Sequence, residues 1–171
     1  MSRVAYVNGR YVPQQKAAVG IEDRGYQFAD GVYEVICVYR DTLIDAAGHV
    51  ARLHRSLDAL RIPAPMADAP LYQVMREVAR RNRVRNGMIY LQVTRGEAPR
   101  DHPFPAHPDP ALVITARRGG PPTTKAAHGV GVITMPDQRW ARCDVKSTAL
   151  LPNVLAKQAA RDAGAFEAWQ V

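Results

Sequence analysis

The alternation of apolar and polar positions divides the chain into short β-type runs, two helical stretches and a less regular second segment. Residues 4–7 and 10–12 predict two strands joined at Asn8-Gly9, a pair that tight hairpin turns favour. Residues 32–40 (VYEVICVYR) are rich in β-branched and aromatic side chains and predict a longer strand. Thr42 to Asp45 can return antiparallel after Arg40-Asp41, and Gly48 predicts a break. Val50, Leu53, Leu57 and Leu60 recur at helical spacing, so a helix is expected from His49 to Ile62, stopped by Pro63 and Pro65. Leu71, Val74, Met75 and Val78 form the apolar face of a second helix, Pro70 to about Arg85, with Asp68 as N-cap and Asn86-Gly87 as its end. Met88 to Arg95 and Ala111 to Arg117 predict two more strands around a proline-rich loop.

The first part therefore reads as α+β, a mainly antiparallel sheet with two helices. Gly, Pro and Thr cluster in RGGPPTTK (118–125), as at a domain boundary. The expected organisation is a small α+β domain over 1–118, a linker over 119–125 and the beginning of a second, α/β domain over 126–171. In that segment 131–135 reads as a strand, Val154 to Asp162 as a helix with Gly164 as C-cap, and 165–171 as a strand in which the chain stops. That stop predicts that further chain completes the second domain.

Composition narrows the function classes. Hydrophobic residues make up 47%, which excludes the signature of disorder. A net charge of +7 raises the question of nucleic acid, but the arginines are scattered and no aromatic residues interleave a basic strand, so nucleic-acid binding is not expected. No run is apolar enough for a membrane span, and the start lacks a secretory signal. Cys37 and Cys143 give neither a disulfide framework nor metal-ligand spacing. They are expected as buried free thiols in a reduced, cytoplasmic setting. Phosphate-binding P-loops, dinucleotide fingerprints and nucleophile elbows are absent from the sequence.

Three stretches concentrate polar chemistry. Glu22 to Glu34 is dense in polar groups and glycines; by itself it reads as a loop entering a strand. Arg95 to His102 places two arginines and a histidine on one loop, where a guanidinium fork suits a substrate carboxylate, although a solvated basic loop has the same composition. In Arg139 to Thr148, Lys146 lies among apolar and small residues that can desolvate its amine, although most lysines are plain surface groups.

Taken together, EDRGYQFADGVYEV (22–35), YLQVTRGEAPRDHPFP (90–105), RWARCDVKS (139–147) and LLPNVLAKQAARDAGAFEAW (150–169) resemble the fold-type IV enzymes that use pyridoxal 5'-phosphate (PLP). Within them the PRDHPFP and CDVKS stretches resemble the D-amino-acid aminotransferase family. The resemblance implies that Lys146 is the Schiff-base lysine and the proton-transfer group of transamination between a D-amino acid and a 2-oxo acid. It implies that Arg52 contacts the cofactor phosphate, and that Tyr33, Arg100 and His102 form a trap for the substrate carboxylate. In that family the equivalents of Arg100 and His102 come from the partner subunit, so a homodimer is expected. Arg139 matches an arginine of the active-site region. The family also has a glutamate for the pyridine nitrogen and further phosphate ligands beyond the position matching Val171; a chain without them is expected to be a poor aminotransferase. A branched-chain aminotransferase, an aminodeoxychorismate lyase and a non-catalytic dimerising remnant are the alternative readings.

Overall fold

The computed structural model describes residues 3–120 and 123–171. They separate into two compact units, one of residues 3–120 with Asp144–Thr148, the other of residues 123–143 with Ala149–Val171.

The first unit is built on a six-stranded antiparallel sheet. Its strands are β1 (Val4–Val7), β2 (Arg10–Pro13), β3 (Gly31–Tyr39), β4 (Thr42–Leu43), β5 (Gly87–Thr94) and β6 (Ala111–Arg118), in the spatial order β2-β1-β6-β5-β3-β4. Asn8 and Gly9 both take positive φ in the first hairpin turn, as do Arg40 and Asp41 in the β3–β4 turn, so both tight turns form where the sequence placed them. A short helix, α1 (Arg24–Phe28), precedes β3 and was not anticipated. The two expected helices are α2 (Ala46–Leu60) and α3 (Asp68–Arg81).

Side-chain alternation along β3 explains the core. Val32, Glu34, Ile36 and Val38 point to the buried face, while Tyr33, Val35 and Cys37 point to the other. Val50, Leu53 and Leu57 of α2 and Leu71, Met75 and Val78 of α3 close over the buried face with Ile89, Leu91, Val93 and Ile114 of the sheet. Each such aliphatic side chain contributes roughly 1.5–3 kcal/mol on burial.

Several boundaries differ from expectation for local reasons. Gly48 does not break the chain but lies in the first turn of α2, where an added Cβ would come 2.6 Å from the Asp45 carboxylate. Asp68 is the first residue of α3 rather than its N-cap, and its carboxylate takes His54 Nε2 at 2.7 Å instead. Helix α3 ends at Arg81, not at Asn86-Gly87. Asn82 clamps that end, its amide donating to the Val4 and Val78 carbonyls and accepting from Val4 N–H. Cys37 and Cys143 are exposed free thiols rather than buried ones; Cys37 falls on the outward phase of β3.

In the second unit, α4 (Thr123–His128) makes the end of the expected linker helical; residues 121 and 122 of that linker lie outside the described residues. Strands β7 (Val132–Met135) and β8 (Glu167–Gln170) pair in parallel, joined by α5 (Leu151–Asp162). Gly164 takes φ 68° one position beyond the C-cap, Ala163, where a left-handed residue closes a helix. The architecture is the mixed α+β one expected. No described helix is long and apolar enough to cross a membrane.

Candidate active site

The segment Asp144–Thr148 belongs to the first unit although it follows much of the second in sequence. Three anchors fix it. Val145 is buried in the first unit's core. The Lys146 carbonyl accepts Tyr33 N–H at 3.0 Å, and Lys146 N–H donates to the buried Ser56 hydroxyl at 3.2 Å. Thr148 N–H donates to the Gly31 carbonyl at 3.0 Å, and its hydroxyl donates to the carbonyls of Ala29 and Gly31. The segment thus lies as a bent strip beside the start of β3, and Ser147 pairs there with Val32.

That docking sets the Lys146 side chain. Its Nζ lies 4.2 Å from the centre of the Tyr33 ring, and Tyr33 stacks in turn on Tyr90 at 5.7 Å. The half-buried amine therefore rests on an aromatic face rather than on a carboxylate. Cation–π contact holds a lysine less tightly than a buried ion pair. Tyr90 donates its hydroxyl to Gln92 Oε1 at 2.7 Å. Burial, with the neighbouring Tyr33, raises the Tyr90 phenol above its ordinary value, so this ring stays neutral near pH 7.

Arg52 is held by Glu34. The fully buried Glu34 carboxylate accepts Arg52 Nε at 2.6 Å, Arg52 Nη2 at 2.7 Å and His49 Nδ1 at 2.7 Å. Burial alone would raise the Glu34 carboxyl, but the hydrogen bonds from Arg52 and His49, with their charges, outweigh it and hold the group below the ordinary carboxylate range. The side-on grip fixes the guanidinium plane and leaves the Nη1 edge for an anion. Arg52 thus reaches β3 through Glu34, and Lys146 through the adjacent Tyr33.

Arg100 and His102 gather elsewhere, around the Phe28 ring. Arg100 lies 5.2 Å from its centre and the His102 ring 5.5 Å. The buried Arg24 shapes this loop, donating from Nη1 to the Asp101 carbonyl at 2.6 Å and from Nη2 to the His102 carbonyl at 3.2 Å. Arg24 Nε is held by Asp30 at 2.8 Å, and the same Asp30 carboxylate takes Arg95 in a bidentate pair at 2.7 and 2.9 Å. Arg95 is therefore no substrate ligand. It is 1% exposed, covered by Phe104 at 3.7 Å, and donates further to the carbonyls of Leu60 and Arg61 at the end of α2.

The structure thus joins Tyr33 with Lys146 and places Arg100 beside His102. No described contact links those two pairs. Arg139 belongs to the second unit, where Asp137 grips it through Nε and Nη2; that hydrogen bond holds the Asp137 carboxyl at about 2. The sequence reading included Arg24, Asp30 and Glu34 in the polar stretch 22–34 without a role for any of them, and gave no role to His49 or Ser56. Glu34 alone carried a signal, as an acid in phase with the apolar Val32, Ile36 and Val38.

The sequence pattern described as Amino-transferase class IV matches residues 31–171. The chain belongs to this family. Among curated relatives, the D-alanine aminotransferase of Bacillus licheniformis is 45% identical over 161 residues, covering 94% of this chain and 57% of its own. That of Staphylococcus haemolyticus is 40% identical over 166 residues, covering 96% and 59%. The chain spans less than three-fifths of the length of these relatives. A branched-chain aminotransferase from Thermoproteus uzoniensis, solved with norvaline, shares the fold at TM-score 0.87 and 20% identity over all of this chain and 60% of its own. A second branched-chain aminotransferase (T.th.), solved with pyridoxamine 5'-phosphate, superposes at TM-score 0.84 and 26% identity, covering 100% and 60%. The 4-amino-4-deoxychorismate lyase of Pseudomonas aeruginosa does so at 0.78 and 26%, covering 98% and 60%. The class IV fold is shared by all three, and the higher sequence identities are to the D-alanine aminotransferases.

Proposed function

We propose that this chain carries the lysine-bearing part of a PLP-dependent aminotransferase that moves an amino group from a D-amino acid such as D-alanine to a 2-oxo acid. The observation that carries the reading is Lys146. Its amine lies against the Tyr33 ring, on a segment pinned by Val145, Ser56 and Gly31 to the first unit. The identity to D-alanine aminotransferases, 45% and 40%, supports the D-specific class over the branched-chain and lyase readings.

PLP, when bound, supplies an electron sink for the charge left at the substrate Cα as its proton departs. Lys146 Nζ would hold that group covalently and, once displaced, would take the proton from Cα and deliver it across the C=N unit to the cofactor side, the 1,3-shift that leaves the amino group behind. A single amine serving both steps must stay aimed, and the anchors on either side of Lys146 provide that. Arg52, its plane set by Glu34, would orient the phosphate. Arg100 and His102 would grip the substrate carboxylate, reaching from the partner subunit of a homodimer. Their position on Phe28, with no described contact to Tyr33 or Lys146, supports that geometry. Fixing the carboxylate decides which hydrogen of Cα faces Lys146, and so selects the enantiomer.

A single-turnover assay tests the reading because it registers product even where turnover is slow. PLP-loaded protein mixed with D-alanine should release pyruvate in proportion to bound cofactor, and L-alanine should release none. Equal release from both enantiomers would refute the D-specific assignment.

A further inference from the structure

A second cavity lies at the opposite end of the first unit's sheet. It has a volume of about 660 Å³, and five arginines line it: Arg3, Arg81, Arg83, Arg117 and Arg118. No carboxylate is among its described lining residues. The strand register sets its distance from Lys146. Lys146 docks beside Tyr33, which pairs with Gln92 and through it with Val113. Arg117 lies four residues further along β6, roughly 13 Å at the rise of a strand, and β6 is two strands across from β3, roughly 10 Å more at right angles to that.

The arginines are held in place by their neighbours. Arg118 donates from Nε to the Arg83 carbonyl at 3.1 Å, and Arg117 from Nε to Met88 Sδ at 3.0 Å. Both partners are neutral, so these contacts orient the guanidinium groups without offsetting their charge. Arg81 stacks on Tyr11 at 4.0 Å and shares the Glu77 carboxylate with Arg80. The negative end of α3 accounts for Arg80 and Arg81 in its last turn. It does not account for Arg117 and Arg118, which come from β6.

We propose that this cavity binds a small anion carrying several phosphate groups, of the triphosphate class. Guanidinium forks match phosphate oxygens two at a time, and several forks on one cavity call for more than one anionic group; Arg117 and Arg118, neighbours on β6, leave opposite faces of the sheet, so Arg118, on the side of Arg83, is the β6 fork that serves it. The volume is that of a small-molecule site, and the concave shape differs from the extended basic groove with stacking aromatics that tracks a nucleic-acid strand. The proposal does not depend on the role given to Lys146.

The test is calorimetric titration of the protein with inorganic tripolyphosphate at low ionic strength. One tripolyphosphate should bind per chain. Arg83→Gln/Arg118→Gln should weaken it at least tenfold, while Arg55→Gln/Arg76→Gln, which removes the same charge elsewhere, and Arg52→Gln should change it less than threefold. Arg118→Lys, which keeps the charge at that position, should retain most of the affinity and guards against a folding artefact. Absence of saturable binding would overturn the proposal. So would equal weakening in the two double variants, or loss confined to Arg52→Gln. Displacement of tripolyphosphate by a single-stranded oligonucleotide that binds more tightly through Arg83 and Arg118 would overturn it in favour of a nucleic-acid surface.

Discussion

Replacing Asp30 by asparagine should destabilise the first unit more than any other single polar substitution near the candidate site. Asp30 is the common partner of two guanidinium groups whose side chains are 4% and 1% exposed, at 2.7–2.9 Å. The asparagine would keep the shape but remove the charge, leaving Arg24 and Arg95 buried with one fewer counter-charge between them. Removing one partner of a buried pair costs about 3–5 kcal/mol. For a unit of this size that is a fall in Tm on the order of 10 °C or more. Burial would raise the Asp30 carboxyl, but the hydrogen bonds from Arg95 and Arg24 outweigh it and hold the group below its usual value of 3.8. A depressed carboxyl stabilises the fold above its unfolded value, and that contribution is lost as pH falls through the folded one. The gap between wild type and Asp30→Asn should therefore be full at pH 7 and shrink below about pH 4. Thermal unfolding followed by circular dichroism across pH 3–7 reads both quantities. A variant melting within about 2 °C of wild type at pH 7, or a gap that widens on acidification, would refute the reasoning.

Glu34→Gln should loosen the grip on Arg52 and weaken PLP binding about tenfold in a fluorescence titration; because Glu34 is also depressed, wild-type affinity should itself fall with acidification below the ordinary carboxylate range, and unchanged affinity would count against Arg52 as the phosphate contact. Ser56→Ala removes the hydroxyl that receives Lys146 N–H and should cost roughly 1–2 kcal/mol in chemical denaturation, together with a lower yield of cofactor attached to Lys146. Arg100→Leu should raise the D-alanine concentration needed for half-maximal pyruvate release on the order of 10–100-fold while leaving cofactor attachment intact; unchanged concentration dependence would remove Arg100 from the carboxylate trap.

Much of the sheet was legible because its signals are local. Asn8-Gly9 and Arg40-Asp41 mark their own turns, and the alternation in 32–40 marks a strand with one buried face. Helix α1 escaped because five residues show no periodicity. It exists through Asp23, which caps Gly25 and Tyr26 N–H and takes the Thr94 hydroxyl 71 residues away. The candidate site divides the same way. Lys146, Tyr33 and Arg52 were found through resemblance, since a lysine or arginine alone carries no sign of its partner. Glu34 and Asp30 act across separations of 18 and 65 residues, which only the folded sheet brings together. Arg95 shows the same limit: its loop's composition suits either a carboxylate ligand or a solvated basic loop, and the carboxylate it holds is the chain's own Asp30.

The central claim is that Lys146 is the amine that holds PLP. Incubation with PLP, reduction with borohydride and peptide mapping by mass spectrometry test it directly. The account predicts one pyridoxyl group per chain, on the peptide containing Lys146, and none on the Lys146→Ala variant. An adduct spread over other lysines, or its persistence in that variant, would contradict it.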